Sequence, residues 1–425
     1  MTTLLLSLVL LLMIGVPIAY SLGISGFLYF VMVHPELIPI LPQRLYAGME
    51  SYSMIALPLF ILMGLLMNAG GITTRLIDFS LLFVGRFRGG LGLVNVLASM
   101  IFGGISGSSV SDTASVGAVL IPEMQKKGYS REYASGITVA SSTMGMIIPP
   151  SVPVVIYALA AEESVGRLFL GSAIPGILIG FIMLAITLVI SYAKKHPREE
   201  LTLTRAEKAT CIRRAVLAVI MPIFVIGSVV LGIATATESA GIGVFYALLL
   251  SLLVFRSMKI REVPPLVKKA ILTSAQVMII IALSKLYIWI LAIERIPEAL
   301  AAGVLAMNLS PFVVLLLVDI IILLAGTFID VSPAILLLTP VFLPLVNALG
   351  VNAIQFGVIL ISGLAVGLVT PPVGMCLNVA SAISRLQIGT IFKSALPFLM
   401  ANLIVLLAIT YIPALTLWLP SVLMR

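Results

Sequence analysis

Two short segments concentrate oxygen-bearing side chains in a chain that is otherwise mostly apolar. They are FGGISGSSVSDTAS at 102–115 and AGTFIDVSPA at 325–334. Hydroxyls, carboxylates and backbone carbonyls are the ligands that small hard cations such as Na⁺ prefer, and neither segment contains the His or Cys that zinc or copper favours. The segments therefore predict cation binding. Their side-chain donors are Ser106, Ser108, Ser109, Ser111, Asp112, Thr113, Thr327, Asp330 and Ser332.

Asp112 and Asp330 are the strongest ion-ligand candidates, because an acid inside a membrane is costly and marks a functional site. The alternative is that each caps a helix, since Asp and Ser are favoured N-caps. Both roles can coexist, so the residue types leave the choice open. Asp319 and Lys285 also lie in apolar runs, where each could pair with another helix, line a pathway or, for the lysine, snorkel to the interface.

Two proline pairs interrupt segments that otherwise have the pattern of membrane helices. SSTMGMIIPPS (141–151) lies within an apolar stretch at 132–160, and SGLAVGLVTPPVG (362–374) lies within another at 355–383. Proline removes a backbone donor and glycine permits unusual torsions, so both helices should break there. Freed carbonyls inside a membrane are tolerated only where protein or a watery cavity satisfies them. Broken helices in corresponding halves indicate the substrate and ion site of a transporter.

The composition predicts an all-α polytopic membrane protein. Of 425 residues, 61% are hydrophobic and 10% are charged, whereas soluble domains carry about 25% charged residues. The net charge of +8 comes from short basic loops, as in cytoplasmic membrane loops, and does not indicate nucleic-acid binding. Cys211 and Cys376 indicate neither a disulfide nor a metal site. Ten crossings are expected, the first a retained span, at 3–18, 20–33, 54–70, 132–160, 172–193, 215–234, 239–255, 272–292, 355–383 and 395–418.

An internal repeat relates the two halves at an offset of 222 residues. The offset superposes Gly and Pro positions far more often than 34 Gly and 24 Pro in the chain would by chance. Repeat 1 is predicted at 1–193 and repeat 2 at 215–425, on either side of a cytoplasmic linker at 194–214. The matched pairs are Gly104/Gly326, Pro122/Pro344, Gly128/Gly350, Gly145/Gly367, Pro149/Pro371 and Pro150/Pro372.

The distribution of basic residues predicts that the repeats are inverted. Basic sequences flank 91–124 on both sides, so both of its ends should be cytoplasmic, whereas uncharged sequences flank 312–345 and place its ends outside. Each segment is then a re-entrant hairpin, and each half has five full crossings. Scaffold helices are expected at 1–84 and 215–307, and broken helices at 132–160 and 355–383. Within the scaffold ranges, 73–84 and 296–307 are either interfacial arms or ordinary crossings or loops.

The same features favour a secondary transporter of anions over other classes. Half-helix N-termini beside the breaks favour negative charge, and the hydroxyl-rich first tip could bond sugar or acid oxygens. An ion channel would show continuous polar stripes or charged rings, and an intramembrane enzyme would need a His, Cys or metal constellation. Proton coupling would need a series of acids and histidines across the membrane. Two acids are few for such a series, so Na⁺ is the expected coupling ion.

The long motifs resemble one family, the large membrane subunits of tripartite ATP-independent periplasmic (TRAP) transporters of the DctM and SiaM type. The residues that carry the resemblance are GGISGSSVSDTASVGAVLIPEM, GYSREYASGITVASSTMGMIIPPSVPVVIYA, GTFIDVSPAILLLTPVFLPL and GVNAIQFGVILISGLAVGLVTPPVGMCLNVA. The resemblance covers nearly the whole chain.

The resemblance implies an elevator-type importer of the bacterial inner membrane, driven by a Na⁺ gradient and without an organic cofactor. It also implies two partners, a small four-helix membrane subunit (Q type) and a periplasmic substrate-binding protein (P type). The first Na⁺ site then involves Ser106, Asp112, Ser141 and Gly145, and the second involves Gly326, Thr327, Asp330, Gly367 and Thr370.

The resemblance also places an organic acid between the two tips. The hydroxyls expected to contact it are Ser106, Ser108, Ser109, Ser142, Thr143, Thr327 and Thr370. Sialic-acid members are the nearest match, and C4-dicarboxylate members share the same motifs. Neither tip nor break contains the arginine that a dicarboxylate clamp would use, which favours a hydroxyl-rich monoacid.

Overall fold

The computed structural model describes residues 2–50, 52–198, 204–307 and 309–424 and is all-helical over those ranges, with no strand among them. Residues 199–203 of the predicted linker and the end positions 1 and 425 of the predicted repeats lie outside the described residues. The first eleven helices are α1 (Thr2–Met13), α2 (Ile18–Val33), α3 (Leu41–Met49), α4 (Ala56–Ala69), α5 (Ile72–Val84), α6 (Gly90–Ser106), α7 (Ser109–Lys126), α8 (Arg131–Ser142), α9 (Met144–Ile147), α10 (Val152–Ala161) and α11 (Val165–Ala193).

The remaining ten helices lie between residues 205 and 423. They are α12 (Arg205–Val230), α13 (Ala236–Leu249), α14 (Val263–Ile293), α15 (Ile296–Ala306), α16 (Pro311–Phe328), α17 (Val331–Ala348), α18 (Ala353–Gly367), α19 (Met375–Ser384), α20 (Ile388–Tyr411) and α21 (Ala414–Leu423). Short 3₁₀ turns lie at Pro35–Ile40, Tyr52–Ile55 and Ile260–Glu262, and a π turn at Leu250–Val254 extends α13.

Seven helices of the described chain are long and apolar enough to cross a bilayer, and nine spans result if each of two bent helix pairs is one span. The expectation of ten crossings at the stated positions is therefore wrong in detail. At about 1.5 Å per residue, the 12 residues of α1 and 16 of α2 are shorter than a typical crossing. The predicted crossing 355–383 is divided into α18 and α19, while α16 and α17, predicted as a hairpin, each meet the length criterion.

Two predicted boundaries fail because hydropathy locates the apolar part of a helix and misses its polar turns. The predicted crossing 395–418 is α20, which begins at Ile388 and ends at Tyr411, before Pro413. The predicted linker 194–214 is helical from Arg205 onward. There Thr204 and Glu207 form a reciprocal capping box that starts α12.

The two predicted hairpins are pairs of helices that pack on each other across very short connections. Gly107 and Ser108 join α6 to α7, and Ile329 and Asp330 join α16 to α17. Gly107 has φ +62°, and a Cβ there would lie 3.1 Å from the backbone nitrogen of Val152. Glycine is therefore required at this turn, because a side chain would strain the backbone and crowd the neighbouring break.

The two broken helices unwind over shorter stretches than predicted. In the first half, α9 ends at Ile147 and α10 starts at Val152, and the chain bends by 42° between Arg131–Ile147 and Val152–Ala161. In the second half, α18 continues to Gly367 and the chain is irregular over 368–374. Both proline pairs, which contain the cis bonds Pro149–Pro150 and Pro371–Pro372, lie in these irregular segments.

Sequences 73–84 and 296–307 form separate helices, α5 and α15, which excludes loops for their described residues. Gly71 (φ +67°) turns the chain by 67° between α4 and α5. Each of these helices packs on a hairpin, α5 on α6 and α15 on α17. Both helices therefore contact the elements that carry the oxygen-rich tips.

Candidate functional site

A cavity of about 550 Å³ lies where both predicted tips meet α4 and α14. The first tip contributes Ser106 to Ser111 and the second contributes Asp330 to Ser332. From the opposite side, α4 contributes Asn68 and α14 contributes Lys269, Thr273 and Gln276. The other lining residues are Ile61, Gly64, Leu65, Ala114, Ser115, Met146, Val152, Pro153, Val277, Ile280, Leu368 and Met375.

Four helices begin on the wall of this cavity. Their first residues, Ser109 of α7, Val152 of α10, Val331 of α17 and Met375 of α19, all line it. The first backbone N–H groups of a helix have no partner within the helix, and the macrodipole adds partial positive charge at that end. Four such ends around one space favour an anion.

At the first tip, Asp112 is turned inward and its carboxylate is only partly satisfied. The Ser106 hydroxyl donates to Oδ1 of Asp112, while Oδ2 has no hydrogen-bond partner and the residue is 0% exposed. The cap of α7 is instead Ser108, whose hydroxyl accepts from the Ser111 N–H at 3.5 Å. The structure therefore does not use Asp112 as the N-cap, and its free oxygen is available to a cation.

Gly145 on the first broken helix faces this carboxylate. A Cβ at Gly145 would lie 2.2 Å from Oδ2 of Asp112, so any side chain would displace the oxygen. The hairpin helix α6 is also close to this broken helix. A Cβ at Gly103 would lie 2.9 Å from the Gly145 Cα, and one at Gly104 would lie 2.8 Å from the Pro149 oxygen. Glycines thus bring the first tip and the unwound carbonyls together, an arrangement that fits the hard-oxygen set a Na⁺ ion requires.

Other predicted residues of the first half lie behind the cavity. Ser142 contacts Ser109 and Thr113 at 3.2 and 2.8 Å between hydroxyl oxygens. Ser141 donates to Asn95 at 3.0 Å and Thr143 donates to Asn402 at 2.9 Å. All are buried, so these serines and threonines hold hairpin and helices together through hydrogen bonds. Ser142 and Thr143, expected to contact substrate, do not line the cavity.

At the second tip the two predicted glycines are in close contact. A Cβ on Gly367 would lie 2.4 Å from the Gly326 carbonyl carbon, so α16 and α18 touch through their backbones. The Thr327 hydroxyl donates to the Leu324 oxygen at 2.7 Å and the Thr370 hydroxyl to the Val366 oxygen at 2.8 Å. Neither threonine lines the cavity. Both were expected to contact substrate.

Asp330 differs from Asp112 in its surroundings. It is the N-cap of α17, accepts from the Val331 N–H at 2.8 Å, and is exposed toward the cavity. The capping role considered for it is therefore present. The exposed carboxylate still has oxygens that a cation in the cavity can reach.

The polar lining residues on α4 and α14 are not among the residues predicted from the sequence. Lys269, Thr273 and Gln276 are spaced by four and three residues, which places them on one helix face. That spacing is a usable signal, but the basic segment 256–269, which contains both Lys268 and Lys269, predicts a cytoplasmic loop. Lys285 instead pairs with Glu162 at 3.7 Å, and Asp319 accepts from the Thr410 hydroxyl at 3.0 Å. Neither of those two residues lines the cavity.

No group of three or more His, Cys, Asp or Glu residues that could hold a metal occurs in the described ranges. The site is instead a set of hydroxyls, carbonyls and single carboxylates around a space with positive helix ends. Such an arrangement can bind an anion beside a small hard cation.

Comparison with known proteins identifies the family. The family model described as "Tripartite ATP-independent periplasmic transporter, DctM component" matches residues 5–415. A C4-dicarboxylate TRAP transporter large permease protein, DctM, of Pseudomonas aeruginosa is 39% identical over 401 residues, 94% of each chain. The sialic acid TRAP transporter large permease protein SiaM of Vibrio cholerae is 34% identical over 414 residues, 97% of this chain and 96% of its own.

Among solved structures, the Alcanivorax borkumensis YdaH transporter has a similar fold. Its TM-score is 0.63 at 14% identity, covering 91% of this chain and 89% of its own. At that identity the likeness concerns the fold alone. The family match and the two close relatives cover nearly the whole chain. This chain therefore belongs to the DctM family, the multi-pass large permease subunits of TRAP transporters in the bacterial inner membrane.

Proposed function

We propose that this chain is the transport subunit of a Na⁺-coupled importer that receives an organic acid from a periplasmic binding protein. The observation that carries the proposal is the cavity on which four helices begin, next to the unsatisfied Oδ2 of Asp112. The helix ends favour the acid and the carboxylate favours the cation. Binding each ligand lowers the cost of holding the other, which is the physical basis of coupling.

The coupling cations occupy two sites in this proposal. Ser106, Asp112 and the carbonyls around Gly145 hold the first. The second lies near Gly326, Gly367 and Asp330. Glycine contacts in both halves support a pair of cation sites. The hairpin approaches the broken helix through Gly103 and Gly145 in the first half, and through Gly326 and Gly367 in the second half.

The movement we propose is an elevator, in which two inverted repeats supply the hairpins and broken helices of a mobile transport domain. The cavity supports this division, because one wall consists of the tips and breaks and the other of α4 and α14, which belong to the predicted scaffold. A small four-helix membrane subunit would steady that scaffold.

N-acetylneuraminate is the first candidate substrate, because the first tip offers serine hydroxyls to a polyhydroxylated acid. C4-dicarboxylates are the second. The P. aeruginosa relative that carries that name is 39% identical, against 34% for the sialic-acid relative.

Uptake into proteoliposomes tests the proposal. Vesicles that contain this chain and its small partner, supplied with the binding protein, should accumulate labelled acid when an inward Na⁺ gradient is imposed. Replacing external Na⁺ by K⁺ should reduce uptake to the level of empty vesicles, since K⁺ is too large for a compact oxygen site. Equal uptake in both salts would reject the Na⁺ assignment.

A further inference from the structure

One face of α14 forms a polar wall opposite the two tips. Lys269, Thr273 and Gln276 line the cavity there, followed by Val277 and Ile280 deeper along the same helix. The spacing of 4, 3, 1 and 3 residues keeps all five side chains on one side of the helix. From the N-terminal side of α14 onward, the wall is therefore first cationic, then neutral and polar, and then apolar.

Lys269 is the one basic side chain among the described residues that line this cavity, and Asp330 is the one acidic side chain. The Lys269 ammonium is exposed and forms no ion pair or hydrogen bond within the part of the chain described here. An unpaired ammonium facing a cavity that also receives four helix N-termini attracts a carboxylate, and their bond is charge-assisted.

The adjacent lysine, Lys268, does not line this cavity, although it lies in the same basic end of α14. Lys268 lies about a quarter turn away and lines a shallow groove with Val263, Pro264, Val267, Ile271 and Leu272. That groove is apolar and lies apart from the tips. Lys268 therefore has the role expected of a basic residue at a membrane boundary, and Lys269 has a different one.

The remaining polar lining is mostly uncharged. Asn68, Thr273 and Gln276 on one side and the tip serines on the other can bond hydroxyl or amide groups. Lys269 is the one basic side chain of this lining, so a second carboxylate would find no cationic side chain there. The cavity therefore suits an acid with one carboxylate and an uncharged polar body better than a compact diacid.

We propose that Lys269 is the carboxylate anchor on the α14 wall and that the substrate is a monocarboxylate with an uncharged, hydrogen-bonding body. This inference rests on the proposed function and specifies the substrate class of the same cavity. Lys269 determines specificity because it provides the single positive side-chain charge of the described cavity lining. Gln276, about two turns further along α14, then forms hydrogen bonds with the uncharged body.

The test compares Lys269→Gln with Lys268→Gln, which removes the same charge from the adjacent position. The purified chain with its small subunit is titrated with N-acetylneuraminate or with succinate in saturating Na⁺, and the melting temperature is followed. Wild type and Lys268→Gln should be stabilised at similar N-acetylneuraminate concentrations. Lys269→Gln should need about 10- to 100-fold more, the worth of one charge-assisted hydrogen bond, and Lys269→Arg should recover part of the loss.

Three outcomes would overturn the inference: a Lys269→Gln titration that superposes on wild type, stronger stabilisation by succinate than by N-acetylneuraminate, or no effect of either acid on wild type. The Na⁺-dependent rise in melting temperature without acid should be the same in Lys269→Gln and wild type. A failure of Na⁺-driven uptake would instead count against the proposed coupling, and the titrations would still decide the role of Lys269.

Discussion

At the scale of single residues, the two tip carboxylates have different environments although they appeared equivalent in the sequence. Asp112 is enclosed, bonded by Ser106 and left with one free oxygen, whereas Asp330 caps α17 and is exposed to the cavity. A buried carboxylate without a full set of donors is costly unless a cation completes it. If the proposed Na⁺ site is correct, Asp112 should therefore depend more strongly on the ion than Asp330 does.

Gly145→Ala should remove the effect of Na⁺ on stability. The added methyl would lie 2.2 Å from Oδ2 and 2.8 Å from Cγ of Asp112, so the carboxylate must turn away from the ion. Wild type should melt at a higher temperature as NaCl replaces KCl, because a ligand of the native state stabilises it. The variant should show no such rise.

The matched control for this glycine is Gly227→Ala, also within a helix, where a Cβ would meet nothing within 4 Å. It should keep the full Na⁺ response and gain up to about 1 kcal/mol from helix propensity. If Gly145→Ala does not fold, Asp112→Asn provides the same test with unchanged shape. A normal Na⁺ response in Asp112→Asn would remove the carboxylate from the proposed site.

At the scale of elements, the start of α12 shows that an N-terminal cap can extend a helix into a polar segment. The sequence 205–214 is polar and belongs to the predicted linker, but Thr204 accepts from the Glu207 N–H and Glu207 Oε2 accepts from the Thr204 N–H at 2.8 Å. The Thr204 backbone hydrogen bond, followed by the Thr204 hydroxyl, lowers the pKa of Glu207. The helix therefore extends beyond the apolar segment into water.

Glu207→Gln should loosen the first turn of α12. Hydrogen–deuterium exchange of amides 205–208 should be faster in the variant at pH 7, because the charged cap is lost. A carboxyl with a lowered folded-state pKa contributes stability above its unfolded pKa and loses it as the pH falls through the folded value. The difference between wild type and variant should therefore vanish in acid.

Glu132→Gln is the control for this cap. Glu132 also lies in the first turn of a helix, α8, but Ser130 provides that cap alone. The control removes the same charge and should leave exchange at 205–208 unchanged. Unchanged exchange in Glu207→Gln as well would mean that packing, not the cap, determines where α12 begins.

At the scale of the whole molecule, the proposed mechanism depends on the relative orientation of the two halves. Both hairpin tips reach one cavity, and each hairpin packs on helices of both halves, α7 on α8 and α19, and α17 on α14 and α10. Inverted repeats would bring the tips together from opposite faces of the membrane. Charge at the hairpin ends makes the same prediction, since Lys126 ends α7 and the sequence after α17 is uncharged.

Cysteine labelling tests this orientation. With Cys211→Ser and Cys376→Ala as background, Lys126→Cys should react with a membrane-impermeant maleimide only from the cytoplasmic side. Asn347→Cys should react only from the outside. Asn347 is exposed near the end of α17 and is preferable to Gly350, whose φ of +81° disfavours any side chain. Reaction of both cysteines from one side would contradict the inverted arrangement.

The amino-acid sequence determined the local features of this protein. Composition and the lengths of apolar runs are sufficient to indicate a polytopic helical protein. A proline pair in the interior of an apolar run breaks the helix, as at Pro149–Pro150 and Pro371–Pro372, whereas Pro264–Pro265 in the first turn of α14 does not. Hydroxyls at 106–113 and the two tip acids identified the ligand-bearing turns, because turn chemistry depends on neighbours in sequence. The long motifs then identified the family.

Only the tertiary structure decided which side chains face the cavity. Ser142 and Thr143 are hydroxyl residues like Ser106 and Ser108, but helix packing turns the first two toward other helices and leaves the latter pair at the cavity. Lys269 became a candidate because α14 lies opposite the tips. Residue types and spacing indicate which side chains share one face of one helix. A binding site also requires that faces of distant segments come together, and this depends on long-range packing.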